Sequence, residues 1–319
     1  MARDPSFSIA YADLKAGKTS DVLAAFPNAV FVAAPGALAP AINLWGFEPP
    51  QRNDLETFGD VRRFGEKMDS KHVALVVDDA TLIADRTANY YFGKGLRGWD
   101  IWGAVLASAV KMRDSLRRRG FHIAFTCHPR SARVENGVRV RGGPSFQGQC
   151  ALKIPAACDF LLRAEARPGA MTAATGSDLG IETGGVAGAG TEATQQFGWP
   201  MVYRLAWHPD WMQGSRYGTP DLAPMNLGEI LRLAGFSIPR MKGLEWQDKV
   251  AAGLAQALWD GPGLGDAAYT RACFEQVKAG CLARFSQNEA HVYWAIRDGF
   301  DRAVLHVAAA GQRRAMWGV

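Results

Sequence analysis

The segment Ala12-Asp13-Leu14-Lys15-Ala16-Gly17-Lys18-Thr19 constrains the fold of this chain more than any other stretch. Seven of its eight positions fit the pattern G-x-x-x-x-G-K-[ST], and Ala12 stands where the pattern has its first glycine. The pattern has a mechanism. A strand must turn sharply into a helix so that successive backbone N–H groups surround a phosphate. The lysine neutralises charge, and the threonine hydroxyl ligates Mg²⁺. On this reading Asp13, Lys15, Ala16, Gly17, Lys18, Thr19 and Ser20 line a nucleotide-phosphate site. The bland alternative is a lysine-rich turn ahead of a helix. Ala12 costs loop geometry if that position needs a positive φ.

The flanks favour the phosphate site. Phe7 to Tyr11 alternates and suits a first strand. Lys18 to Phe26 suits a helix with Val22, Leu23 and Phe26 on one face, and Pro27-Asn28 stops it. Ala29 to Ala34 is a continuous apolar run, as expected of a strand buried on both faces of a parallel sheet.

A second motif, Val73-Ala74-Leu75-Val76-Val77-Asp78-Asp79, is an apolar strand ending in two carboxylates. Such a strand delivers acids at its carboxyl end, beside the phosphate loop of a neighbouring strand. Asp78 is then the residue that holds Mg²⁺, and Asp79 the group that orients or deprotonates an attacking water. The alternative is a pair of acids that simply end a strand.

Composition narrows the class. The chain has 319 residues, 48% hydrophobic and 21% charged, enough for one large core plus an appendage. A formal charge of +5 permits an anionic partner without proving one. Cys127, Cys150, Cys158, Cys273 and Cys281 are scattered, with no C-x-x-C and no zinc spacing. That set fits a reducing cytosol. No run approaches the ~20 apolar residues of a membrane helix, and the first residues lack the apolar core of a signal peptide. The expectation is a cytoplasmic protein without a membrane partner.

Beyond the acid pair, Arg86 to Asp100 interleaves Tyr90, Tyr91, Phe92 and Trp99 with Arg86, Lys94 and Arg97, and its glycines predict a loop. A helix is expected over Ile101–Arg119, and a strand over Phe121–Cys127 that ends in Thr126-Cys127-His128. Residues 129–143 predict a hairpin around Asn136-Gly137, a favoured two-residue turn. Arg130, Arg133, Arg139 and Arg141 make it cationic. Strands are expected over Ala157–Ala166 and Met201–Trp207. Residues 167–200, rich in Gly, Ala and Thr, read as a loop or a β excursion. Past a boundary at Pro220–Pro224 the pattern turns helical: Asn226–Phe236, Leu244–Trp259, Ala267–Phe285 and a last helix from Ser286. This gives a core over residues 1–222 and a helical subdomain over residues 223–319.

The order of these motifs resembles the RecA-like P-loop ATPases, and within them the phage-encoded Sak-type single-strand-annealing ATPases. The likeness rests on Lys15 inside the phosphate loop and on Phe26-Pro27-Asn28-Ala29-Val30-Phe31. It rests also on Ile154 to Arg163, with Cys158-Asp159-Phe160-Leu161-Leu162-Arg163 at its end, and on Gly214-Ser215-Arg216-Tyr217. It covers about residues 5–235. The resemblance implies an α/β fold, a RecA-like core with a mainly parallel sheet, and ATP with Mg²⁺ as cofactors. It implies that Lys18 and Thr19 bind phosphate and metal and that Asp78 is the Walker B acid. His128 falls where the family's polar switch residue senses the γ-phosphate, against the plainer role of ending a strand. Arg216 is the cation that reaches a neighbouring subunit's nucleotide if the chain forms a homo-oligomeric ring or filament; the alternative is a surface arginine.

One departure bears on turnover. RecA-like enzymes usually carry a glutamate just after the second strand, where this chain reads Ala33-Ala34-Pro35-Gly36. Asp79 takes that role, or hydrolysis is slow. The family's two DNA-contacting loops fall here on Arg86–Asp100 and Pro129–Gly143. Tyr91, Lys94, Arg97, Arg133, Arg139 and Arg141 become the expected contacts to single-stranded DNA, arginines and lysine on phosphates and aromatics stacked on bases. The competing view of those aromatics is that they cover the sheet. Three functions stay open: an oligomeric recombination or annealing ATPase that binds single-stranded DNA; another P-loop machine such as a helicase loader or packaging-type motor; and a small-molecule kinase or a nucleotide-binding protein without turnover.

Overall fold

The computed structural model describes residues 4–13, 16–45, 48–135, 137–166, 201–220 and 222–239. Two compact units divide these residues. The first holds the described residues up to Ala164, Arg204–Leu222 and Asn226 to residue 239. The strands β11 (Met201–Arg204) and β13 (Leu222–Pro224) fall largely to the second.

The first unit is an α/β fold built on a mostly parallel sheet. Its strands are β1 (Phe7–Tyr11), β2 (Val30–Ala33), β3 (Gln51–Arg52), β4 (Ala74–Asp78), β5 (His122–Cys127) and β10 (Phe160–Ala166). They lie in the order β10-β1-β5-β4-β2-β3, each parallel to its neighbour. The short β12 (Gly214–Ser215) runs antiparallel along the start of β10. β1 is buried along its whole length, as are β2 and β5. The apparent alternation of Phe7 to Tyr11 therefore marks a strand covered on both faces, with Ser8 as small filler.

Side-chain alternation divides the helices between the two faces. Phe7, Ile9, Tyr11, Leu75, Val77, Ile123, Phe125 and Cys127 join one core with α3 (Phe58–Gly65), α4 (Ala80–Gly93) and α5 (Trp99–Arg118). The alternate residues face the other way. His122 there meets Phe26, at the end of α1 (Lys18–Ala25), and Phe236, just past α7 (Leu227–Leu233). α1 also packs on α2 (Ala39–Trp45). A capping box between Thr57 and Asp60 starts α3, and Asp79 caps α4 by accepting from the Thr81 N–H.

Two expectations need correction. Arg86–Asp100 is not a loop: α4 runs through Gly93 and α5 begins at Trp99, leaving only residues 94–98 between them. The apolar spacing Ile83, Ala84, Thr87, Ala88 and Tyr91 is helical and is buried against the core. The glycines gather where α4 ends, and Gly95 and Gly98 adopt positive φ of 95° and 55° there. The acid-bearing β4 is also not the neighbour of β1, because β5 lies between them. Smaller differences are of extent. β10 begins at Phe160 because α6 (Cys150–Ala156) precedes it, and β11 stops at Arg204. The expected hairpin forms from β7 (Arg133–Glu135) and β8 (Val138–Val140), above the paired β6 (Pro129–Arg130) and β9 (Gly143–Pro144). Its Gly137 has φ 76°, as the turn requires. Residues 167–200 and the expected helices from Leu244 onward lie outside the described residues.

Candidate nucleotide-binding site

Register brings the sequence motifs together. Tyr11 pairs with Cys127, Val77 with Phe125 and Ala33 with Asp78, so the carboxyl ends of β1, β5, β4 and β2 end at one level. Ala12 continues the ladder, its N–H reaching the Cys127 carbonyl at 3.4 Å. The chain then turns and enters α1 behind Gly17, whose φ of 83° suits only glycine. Gly17, at the N-cap of α1, has no side chain to cap the helix, and a helix start of this kind points N–H groups towards a phosphate.

Lys18 folds back over the loop. Its ammonium donates to the Ala12 and Asp13 carbonyls, each at 2.8 Å. Burial lowers its pKa, and the charges of Asp78 and Asp79 oppose that shift. The Thr19 hydroxyl donates to Asp78 Oδ2 at 2.9 Å, and the Thr126 hydroxyl donates to Asp78 Oδ1. Burial raises the Asp78 pKa, and the Thr126 and Thr19 hydroxyls work against it. Asp79 turns the other way. Its Oδ1 accepts from the Thr81 N–H at 2.7 Å and its Oδ2 lies 3.0 Å from His128 Nε2. The peptide bond between Asp78 and Asp79 is cis.

The donor set suits Mg²⁺. That ion favours hard oxygen ligands, takes one or two carboxylates and keeps several waters alongside substrate phosphates. Thr19 and Asp78 supply a hydroxyl and a carboxylate already in contact, beside a loop fit for phosphate. Among the described residues no group of three or more His, Cys, Asp or Glu forms an all-protein metal cage, which this mode does not need.

Lys18, Thr19, Asp78, Asp79 and His128 thus meet in one cluster, with Asp13, Ala16, Gly17 and Ser20 on the same loop and first helical turn. Lys15 lies outside the described residues. Thr126 joins the cluster although the sequence reading gave it no role. Its signal was available, two residues before His128 on the strand that ends at the site. Arg216 is elsewhere. Its N–H bonds the Asp159 carbonyl at 3.0 Å, and Asp159 in turn bonds the Phe7 carbonyl at the start of β1. It therefore occupies the amino edge of the sheet, opposite the phosphate loop of the same chain. Its guanidinium donates to the Ala156 carbonyl at 2.7 Å.

The expected DNA contacts divide likewise. Tyr91 is half-buried on the core, its hydroxyl 2.7 Å from that of Ser108, as the sheet-covering view holds for this ring. Tyr90, Phe92 and Trp99 are 51%, 54% and 74% exposed. Lys94 lies 5.5 Å from the Tyr90 ring centre and Arg97 4.2 Å from that of Phe92. In the hairpin Arg133 pairs with Glu135 at 2.5 Å, and Arg139 pairs with Asp210. Arg141 is placed differently from Arg139. It follows β8, and its guanidinium donates to the His208 and Trp211 carbonyls at 2.8 and 2.6 Å.

No protein-family model matches the chain. No curated protein matches it. Among solved structures it is similar to the RadB recombinase, with 16% identity and a TM-score of 0.35 over 51% of this chain and 76% of that one. A likeness so slight adds nothing to the geometry above. No helix among the described residues is long and apolar enough to cross a membrane.

Proposed function

We propose that this chain is a RecA-like ATPase that binds ATP with Mg²⁺ at the cluster around Lys18 and acts on single-stranded DNA. The observation that carries the reading is the pair of hydroxyls, Thr19 and Thr126, on the buried Asp78 beside the phosphate loop. The interposed strand β5, which brings Thr126 and His128 between loop and acids, supports a RecA-like core over a simpler nucleotide fold. Lys18 exchanges its two loop carbonyls for phosphate oxygens. Thr19 and Asp78 would hold Mg²⁺, which would supply charge neutralisation on the phosphates. Asp79 would orient or deprotonate the attacking water, and His128, hydrogen-bonded to it, would sense the γ-phosphate. Single-stranded DNA is met by Lys94, Arg97 and the exposed rings near them and by the hairpin cations Arg133 and Arg139. Recombination or annealing of the phage type, in a homo-oligomer with Arg216 acting across subunits, is the finer form of this reading; it rests on the sequence resemblance.

The test is Lys18→Ala. The lost ammonium makes charge-assisted hydrogen bonds worth about 1.5–3 kcal/mol each, so ATP affinity by calorimetry should fall at least tenfold. Unchanged affinity removes the site. In the wild type, phosphate release should rise on adding single-stranded DNA; no rise favours a kinase or a static nucleotide binder. One observation favours slow turnover as a second reading. The residues that directly follow β2, Ala34-Pro35-Gly36, include no acid, and both Asp79 oxygens are already engaged, by the Thr81 N–H and by His128.

A further inference from the structure

A cavity of about 210 Å³ opens between α3, α4 and α5, and the proposed ATP site does not use it. Arg62, Arg63, Lys111, Tyr90, Tyr91 and Ser108 line it. Its charge is lopsided: three cations face one carboxylate, Asp60, and that carboxylate is already held by Thr57 and Arg63. Arg62 has only a loose ion pair, 3.6 Å to Glu66, and its buried Nε has no hydrogen-bond partner. Tyr90 and Tyr91 meet edge to face at 5.3 Å, and the Tyr90 ring is half-exposed.

Three cations against one carboxylate that is already engaged leave positive charge for an anion, and an aromatic ring beside them offers its face to a flat partner. Pockets for drug-sized ligands run to about 300–1,000 Å³, so this one takes a smaller group. We infer that the cavity binds one nucleoside monophosphate unit, its phosphate on Arg63 and Lys111 and its base against Tyr90. The unit comes either from a free nucleotide or from one residue of a single strand. Only the second source rests on the DNA reading above, and neither depends on the phosphate loop.

The experiment uses the full chain carrying Lys18→Ala, so that nucleotide binding at the phosphate loop does not mask the cavity. Thymidine 5′-monophosphate should bind by calorimetry, and thymidine should bind at least tenfold more weakly. Adding Arg63→Ala and Lys111→Ala should weaken the monophosphate at least tenfold, with an unchanged circular-dichroism spectrum and melting temperature. With Lys18 restored, the same two substitutions should leave ATP binding intact. If an oligothymidylate also loses affinity in the double variant and the monophosphate competes with it, the source is a strand. If only the monophosphate is affected, the source is a free nucleotide. A double variant that binds both as tightly as its parent overturns the inference. So does thymidine binding as well as its phosphate. The ATPase reading fails by a different result, unchanged ATP affinity in Lys18→Ala itself.

Discussion

Replacing Arg139 and Arg141 singly by alanine should give two different proteins. Arg141 donates one guanidinium nitrogen to two carbonyls, His208 at 2.8 Å and Trp211 at 2.6 Å, and lies 5.7 Å from the Trp207 ring centre. Hydrogen bonds from a charged donor contribute about 1.5–3 kcal/mol each, and unsatisfied buried acceptors cost about 1–3 kcal/mol. The site is half-buried, so water satisfies part of the loss, and we expect about 2–3 kcal/mol of destabilisation. For a unit of this size that lowers Tm by roughly 4–12 °C, at about 2–4 °C per kcal/mol. Arg139 pairs with Asp210 from a side chain that is 63% exposed, and such pairs contribute about 0–1 kcal/mol. Arg139→Ala should therefore melt within about 4 °C of wild type yet bind single-stranded DNA more weakly, with a salt slope reduced by about one unit. Thermal melts followed by circular dichroism and salt titrations of oligothymidylate binding read both effects. Equal melting temperatures for the two variants would show that Arg141 is not a clamp, and an unchanged salt slope in Arg139→Ala would remove it from the DNA surface.

Asp79→Asn should keep Mg²⁺-dependent ATP binding and slow hydrolysis at least tenfold, since an amide accepts no proton; equal single-turnover rates place the base elsewhere. His122 is buried, accepts the Ser6 N–H at Nδ1, and has its pKa pushed down from 6.5 to about 4, chiefly by burial. A lowered histidine pKa means the unfolded chain takes the proton first, so stability is full above about pH 6.5 and falls as pH drops towards 4, by about 3 kcal/mol. Urea midpoints at pH 7 and pH 4.5 should differ more in wild type than in His122→Asn; parallel slopes reject the assignment. Tyr11 donates to the Met212 carbonyl at 2.5 Å. Tyr11→Phe should leave ATP affinity unchanged and reduce the stimulation of hydrolysis by single-stranded DNA; full stimulation separates that bond from the response.

What the sequence made legible was local. The phosphate loop, its strand and its helix are contiguous, so pattern and chemistry sit in one stretch, and Asp78 announces itself at the end of an apolar run. Pairing between distant strands is not written in any local stretch, which is why β5 between β1 and β4 was not foreseen, nor Thr126 on Asp78. The α4 segment misled for another reason. Gly93, Gly95 and Gly98 dominate the composition of Arg86–Asp100, yet they mark the end of a helix whose burial pattern lies upstream. Arg141 misled because charge alone does not say whether an arginine meets solvent or the carbonyls of a segment distant in sequence.

Those long-range bonds also tie the two halves of the proposed function together. β5 ends at Cys127, His128 reaches towards Asp79, and β6 starts at the next residue. The Ser145 N–H returns to the His128 carbonyl at 2.9 Å, closing the base of the hairpin on that residue. At the other edge of the base, the Gly142 N–H bonds the Asp210 carbonyl at 2.7 Å, and the Met212 N–H bonds the Gly142 carbonyl at 2.8 Å. Met212 in turn receives Tyr11 from the end of β1, one residue before the phosphate loop. There is no room for slack at Gly142, where an added Cβ would lie 2.6 Å from the Trp211 ring. The hairpin base is thus held at both sides by residues that flank the nucleotide cluster, His128 on β5 and Tyr11 on β1. Coupling between sites needs a physical network with two arrangements. This one is short, and its adjustable member on the proposed reading is the hydrogen bond from His128 to Asp79, since a γ-phosphate would compete for the same imidazole. On the proposed reading, a γ-phosphate that drew His128 away from Asp79 would pull on the carbonyl that anchors the hairpin and so couple the state of the nucleotide to the proposed DNA-binding cations.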